Sequence, residues 1–204
     1  MIHWIQSLHL RPLNLYHDAL SFVGRMKMLK CQSIRCLVLV AIVSLFACGD
    51  EGGAVSVTEP MADFDVYDCE NNPVNVKNWA AQYDIAFITW GAQWCTACAK
   101  EVPIINTEIV EHFSGSNVGV AQILVENQIG EMPLIDNCTH WVDDNNPDFP
   151  ILVDLDWTAV DAVFDGAVGS TLPLQTLVKD DEVVMRSYTA TIEDVQTLIG
   201  AFLQ

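Results

Sequence analysis

Positive charge is scarce over most of this sequence. After residue 47 the basic side chains are Lys77, Lys100, Lys179 and Arg186 alone. Every carboxylate except Asp18 falls in that same part, and the chain carries a net charge of −18. Such a surface repels phosphate backbones and anionic lipid headgroups, which argues against nucleic-acid binding. Histidine is scarce too, with only His112 and His140 after residue 47. Beside isolated cysteines these do not complete the four-ligand set of a zinc site, so no metal is expected. No run reaches the roughly 20 apolar residues that a spanning helix needs. No internal repeat is visible, and nothing beyond Gly53 is low in complexity.

What is present begins with an address. Lys27, Lys30 and Arg35 precede the apolar run Cys36–Ala47, and Cys48-Gly49-Asp50 follows. A basic region, about a dozen apolar residues and a small residue at the cut make a signal peptide. Leu45-Phe46-Ala47-Cys48 resembles a bacterial lipobox, which implies cleavage before Cys48 and lipid on its thiol. The basic region starts only near Met26 or Met28, so residues 1–47 read as an upstream extension plus signal. Residues 48–60, with Asp50-Glu51-Gly52-Gly53, read as a lipid-anchored polar tether. Residues 61–204 are then one folded domain, for which the chain's apolar content of 51% is ample.

Within that domain Asp63–Tyr67 alternates and meets a polar turn at Glu70-Asn71-Asn72-Pro73, so an opening β-hairpin with Val74–Val76 is expected. Asp84–Thr89 and Val118–Val125 are compact apolar runs of the kind buried on both sheet faces. Cys98–Phe113 is helical in pattern, with Val102, Ile105, Ile109, Val110 and Phe113 on one side and Pro103 expected to kink it. Met132–Val142 and Trp157–Phe164 read as helices, and Phe149–Val153 as a short strand. Leu174–Val178 and Val183–Tyr188 form a hairpin about Asp180-Asp181, and Ile192–Phe202 is a closing amphipathic helix. The expected fold is therefore α/β, a mixed central sheet flanked by helices with an N-terminal β-hairpin. Trp79, Trp90 and Trp141 are read as core or rim packing, not a ligand platform.

Chemistry concentrates at Trp94-Cys95-Thr96-Ala97-Cys98, between a buried strand and a helix. A thiol at a helix start faces unpaired backbone N–H groups and the positive end of the macrodipole, which stabilise its thiolate. Cys95 is accordingly the expected nucleophile, and Cys98, one turn on, resolves the mixed disulfide. Trp94 covers the pair.

The segment from Phe87 to Pro103 resembles the active site of TlpA-like and ResA-like thiol-disulfide oxidoreductases of the thioredoxin superfamily. The matching residues are Trp94, Cys95, Cys98, Glu101 and Pro103. The resemblance extends through Phe149–Asp154 and Val168–Pro173, as in redoxin (AhpC/TSA-type) relatives, and covers roughly residues 61–204. It implies a thioredoxin-like fold and a cis Pro173 facing the active site. It also implies that Leu172 contacts substrate and that Glu101 handles protons. Thr89 stands where thioredoxin has a buried acid, and Thr96-Ala97 lacks the proline frequent in the relatives.

The implied enzyme exchanges disulfides in protein substrates outside the cytoplasm, facing the periplasm, with no cofactor and with a membrane electron donor as partner. Two other functions use the same fold. A thiol peroxidase needs an arginine beside its cysteine, and Arg186 is the only one after residue 47. A copper-binding assembly factor needs two thiols and a histidine, for which His140 is the candidate. Cys69 and Cys138 remain. They are either one structural disulfide or two separate thiols.

Overall fold

The computed structural model describes residues 58–164 and 172–204. The signal segment, Cys48, most of the tether and residues 168–171 of the Val168–Pro173 match lie outside the described residues.

The elements run β1 (Glu59–Pro60), β2 (Asp65–Asp68), β3 (Pro73–Asn75), α1 (Val76–Ala80), β4 (Ile85–Ala92) and α2 (Thr96–Ile105). A π-helical turn (Asn106–Glu111) follows, then β5 (Val118–Glu126), α3 (Ile135–Asn145), β6 (Ile151–Val153), α4 (Thr158–Phe164), β7 (Leu174–Lys179), β8 (Glu182–Ser187) and α5 (Ile192–Phe202). All eight strands join one sheet in the order β1-β8-β7-β4-β5-β6-β2-β3. The β4–β5 and β5–β6 pairs are parallel and the others antiparallel. The fold is α/β and thioredoxin-like, with helices on both faces of a mixed sheet.

The all-apolar runs behave as their composition dictates. Every residue of β4 is buried, because helices cover both of its faces. Phe87, Val120, Leu124 and Leu177 pack beneath α2, the π-helical turn, α3 and α5. Ala86, Ile88, Trp90 and Ile123 pack on the other side against α1 and α4. Among the described residues no helix is long and apolar enough to cross a membrane.

The structure departs from the sequence reading at several element boundaries. Glu59–Pro60 pairs with β8, so the fold takes in two residues ahead of the expected boundary at 61. Val76 opens α1 instead of ending a strand, since the Asn75 side chain caps that helix by accepting from the Asn78 amide. The helical pattern from Cys98 to Phe113 divides into two elements. It stays α-helical past Pro103 and widens into the π turn. The Thr107 hydroxyl lies 3.2 Å from both the Pro103 and Ile104 carbonyls in that region, where a proline has withdrawn a backbone donor. Next, α3 starts at Ile135, because Asn127 winds the preceding residues into a loop by accepting from the amides of Ile129 and Glu131, both at 3.0 Å. Finally, β6 is shorter than expected and begins at Ile151.

Candidate active site

The central strand β4 delivers the chain to Cys95, which caps α2 in extended conformation. Cys95 and Cys98 are joined as a disulfide with Cα atoms 5.3 Å apart. The Cys98 backbone N–H donates to Cys95 Sγ at 3.1 Å. One of the orphan donors of the helix start is thus aimed at the first sulfur. Cys95 keeps 3% exposure and Cys98 none, so what little surface the pair shows belongs to Cys95. Trp94 is half-buried, and its indole N–H donates to Glu126 Oε2 at 2.7 Å, which fixes the ring beside the end of β5.

Beneath α2 a row of polar side chains crosses the three central strands. Thr89 on β4 is in register with Gln122 on β5 and with Gln175 on β7, and all three are buried. Register partners share a sheet face, so all three lie on the side that α2 covers. Gln175 Nε2 donates to Glu101 Oε1 at 3.1 Å. Burial raises the Glu101 carboxyl to about 7, against the opposing hydrogen bond from Gln175. Glu101, one turn beyond Cys98, can therefore gain or lose a proton near neutral pH.

Pro173 follows a cis peptide bond. It lines, with Glu101, Ile104 and Tyr188, a groove of about 470 Å³. Leu172 is half-buried and packs against the core layer that contains Cys95 and Cys98. Cys69 and Cys138 are joined as a second disulfide, with Cα atoms 5.3 Å apart and 69 residues of sequence separation. Cys48 lies outside the described residues. Of the three tryptophans, Trp90 and Trp141 are buried, and Trp79 is half-buried against Tyr83.

Arg186 and His140 are the residues on which the other two functions depend. Arg186 is in register with Thr176 and next to Met185, which faces α2. Arg186 therefore points to the opposite face of the sheet, where it pairs with Glu59 at 2.7 Å. His140 is exposed on α3. Among the described residues no three His, Cys, Asp or Glu side chains come together as a metal site.

Sequence reasoning missed Gln122, Gln175 and Gly91. Gln122 is the one polar residue inside the apolar run of β5, and Gln175 is the second residue of β7, two after Pro173. Both were visible as interruptions of strand composition. Nothing in the sequence marked Gly91, which matters through what its missing side chain leaves room for.

A family model described as the AhpC/TSA family matches residues 57–187. Among curated proteins no sequence matches. The chain is similar in structure to the thioredoxin domain of a thiol-disulfide oxidoreductase from Bacteroides vulgatus, with TM-score 0.59 and 13% identity, covering 74% of this chain and 99% of that one. It is similar to a secreted thiol-disulfide isomerase from Corynebacterium glutamicum, with TM-score 0.57 and 16% identity, covering 78% and 96%. An exposed lipoprotein thioredoxin from Streptococcus pneumoniae gives TM-score 0.54 and 15% identity, covering 69% and 99%. At these identities the structural likeness speaks for the fold, while the family match spans most of the described domain. The chain belongs to the AhpC/TSA family.

Proposed function

We propose that this chain is an extracytoplasmic thiol-disulfide oxidoreductase that exchanges disulfides in protein substrates through Cys95 and Cys98. The observation that carries the reading is the closed pair at the start of α2, with the Cys98 N–H on Cys95 Sγ. In the reduced protein that N–H and the helix macrodipole stabilise a Cys95 thiolate. The thiolate attacks a substrate disulfide; a Cys95–substrate bond forms, and one substrate sulfur leaves as thiolate. Cys98, having passed its proton to Glu101, attacks Cys95 Sγ. The Cys95–Cys98 bond forms and the second substrate thiolate departs. Two electrons have moved to the substrate, and a membrane dithiol donor returns them. Trp94 and Leu172 contact the substrate, and Pro173 faces the pair.

Cys48 carries the lipid anchor in this reading, and the pair works outside the cytoplasm. Support for that location comes from the signal-like N-terminal segment and from the secreted and exposed character of the similar proteins of Corynebacterium glutamicum and Streptococcus pneumoniae. The Arg186 position gives a peroxidase no support.

The test is trapping. Cys98→Ser should accumulate mixed disulfides on Cys95, and Cys95→Ser should accumulate none. Insulin reduction by the Cys95→Ser protein would overturn the assignment.

A further inference from the structure

Gln122 is fully buried in the middle of β5, and the exchange steps above leave it unused. Chemistry settles which way its amide points. The Trp141 indole N–H, which can only donate, lies 2.7 Å from one end of that amide, so that end is the carbonyl oxygen. The other end is the NH2 group. It is buried and has no hydrogen-bond partner among the described residues. A donor held rigidly without an acceptor is costly, and its persistence needs a reason.

The space over Gly91 supplies one. A methyl group placed on Gly91 would lie 2.9 Å from Gln122 Nε2, 3.3 Å from Cys98 Cβ and 3.5 Å from Cys98 Sγ. The orphan NH2 and the inner sulfur thus border one space above the Gly91 Cα, room that any larger residue would fill. In the disulfide state Cys98 Sγ is neutral and a weak acceptor. On reduction it becomes a thiol or thiolate, and a thiolate is a far stronger partner for an N–H donor.

We propose that Gln122 donates a hydrogen bond to Cys98 Sγ once the disulfide opens, to the thiol of the dithiol and more strongly to the thiolate that forms as Cys98 gives up its proton, with Trp141 and Gly91 as the positioning residues that aim it and make room for it. The proposal rests on the exchange reaction proposed above and deepens it. Cys95 takes its donor from the helix backbone, and Cys98 takes its own from the sheet. The bond is absent in the disulfide and present in the dithiol, so it favours the reduced pair. It also holds Cys98 as the thiolate that attacks Cys95 Sγ when the mixed disulfide is resolved.

The experiment equilibrates the purified protein with mixtures of reduced and oxidised dithiothreitol. The Cys95–Cys98 fraction is read by alkylation and peptide mapping, so that Cys69 and Cys138 are scored separately. Gln122→Met, which keeps the volume and removes the donor, should shift the equilibrium constant tenfold or more toward the disulfide. For this two-electron couple that is about 30 mV. Trp141→Phe, which keeps the donor and frees the amide to turn, should shift it the same way by less. A merely structural role would weaken both redox forms alike and leave the constant where it was. An unchanged constant in folded Gln122→Met would overturn the proposal, as would an unchanged constant in Trp141→Phe should Gln122→Met fail to fold. If the wild-type pair does not exchange with dithiothreitol at all, the proposed function fails first and the role of Gln122 falls with it.

Discussion

Replacing Cys69 and Cys138 together by alanine removes the tie between the opening hairpin and α3. Cys69 follows β2, and Cys138 is fully buried on α3. Both sulfurs approach the Ile151 carbonyl of β6, at 3.8 and 3.4 Å. The bridge therefore ties the end of β2 to α3 beside the first residue of β6. A closed loop with 69 residues of separation withdraws conformational freedom from the unfolded chain worth about 4 kcal/mol at 25 °C. In a domain of this size each kcal/mol moves Tm by roughly 3–4 °C. The double variant should accordingly melt roughly 12–16 °C below the wild type in calorimetry, with a steeper guanidinium dependence because its unfolded chain is more open. Cys95→Ala/Cys98→Ala is the control, since the same relation gives a three-residue separation less than half the effect. A loss of under about 3 °C in Cys69→Ala/Cys138→Ala, or one no larger than in the control, would refute the reasoning.

Two further predictions concern buried carboxyls. Glu101 titrates near 7 in the fold against 4.5 ordinarily, raised by burial. The folded protein thus holds the proton longer than the unfolded chain does. The stability this gives is full below pH 4.5 and is lost as pH rises through 7. Glu101→Gln should flatten that stretch of a Tm–pH curve by about 1–2 kcal/mol after solvent screening is allowed for, and should slow thiol exchange at pH 7 roughly tenfold. An unchanged pH–rate inflection would deny Glu101 its proton-handling role. Asp154 is likewise raised to about 6, chiefly by burial and against hydrogen bonds from the Val160 and Ala159 amides. Asp154→Asn keeps the acceptor for the Val160 amide, 2.9 Å away. It should be more stable relative to wild type at pH 8 than at pH 5, and a constant difference in chemical denaturation at the two pH values would contradict this.

The sheet strands were readable because both faces of β4 and β5 are covered, which forces unbroken apolar runs into the sequence. The closing helix Ile192–Phe202 was readable to the residue: Thr191 and Asp194 form a capping box at its start, and its apolar stripe has helical spacing. Other boundaries were set by side chains acting locally. Asn75 turned Val76 from strand to helix, and Asn127 delayed the start of α3. The cysteine pair was legible from its spacing and its strand-to-helix setting. The polar row beneath it was not. Gln175, Thr89 and Gln122 are 86, 33 and 53 positions apart pairwise, and only the strand register brings them side by side. A periodicity argument sees one strand at a time and cannot align three.

That row also explains why the scarcity of positive charge matters. A buried acid beside a lysine or arginine would ionise readily, since an opposite charge within a few ångströms lowers a carboxyl's pKa. Here the groups beneath α2 are two amides and a hydroxyl. The causes acting on Glu101 are burial and a single amide hydrogen bond, with no cation among them. Desolvation therefore prevails, and the carboxyl stays protonated up to about neutral pH. The neutral row holds α2 through Gln175 and adds no charge that would draw the Glu101 carboxyl down from about 7. A chain with few basic residues thereby keeps a carboxyl that titrates near neutral pH one turn from its inner cysteine, because no cation lies beside it to lower its pKa.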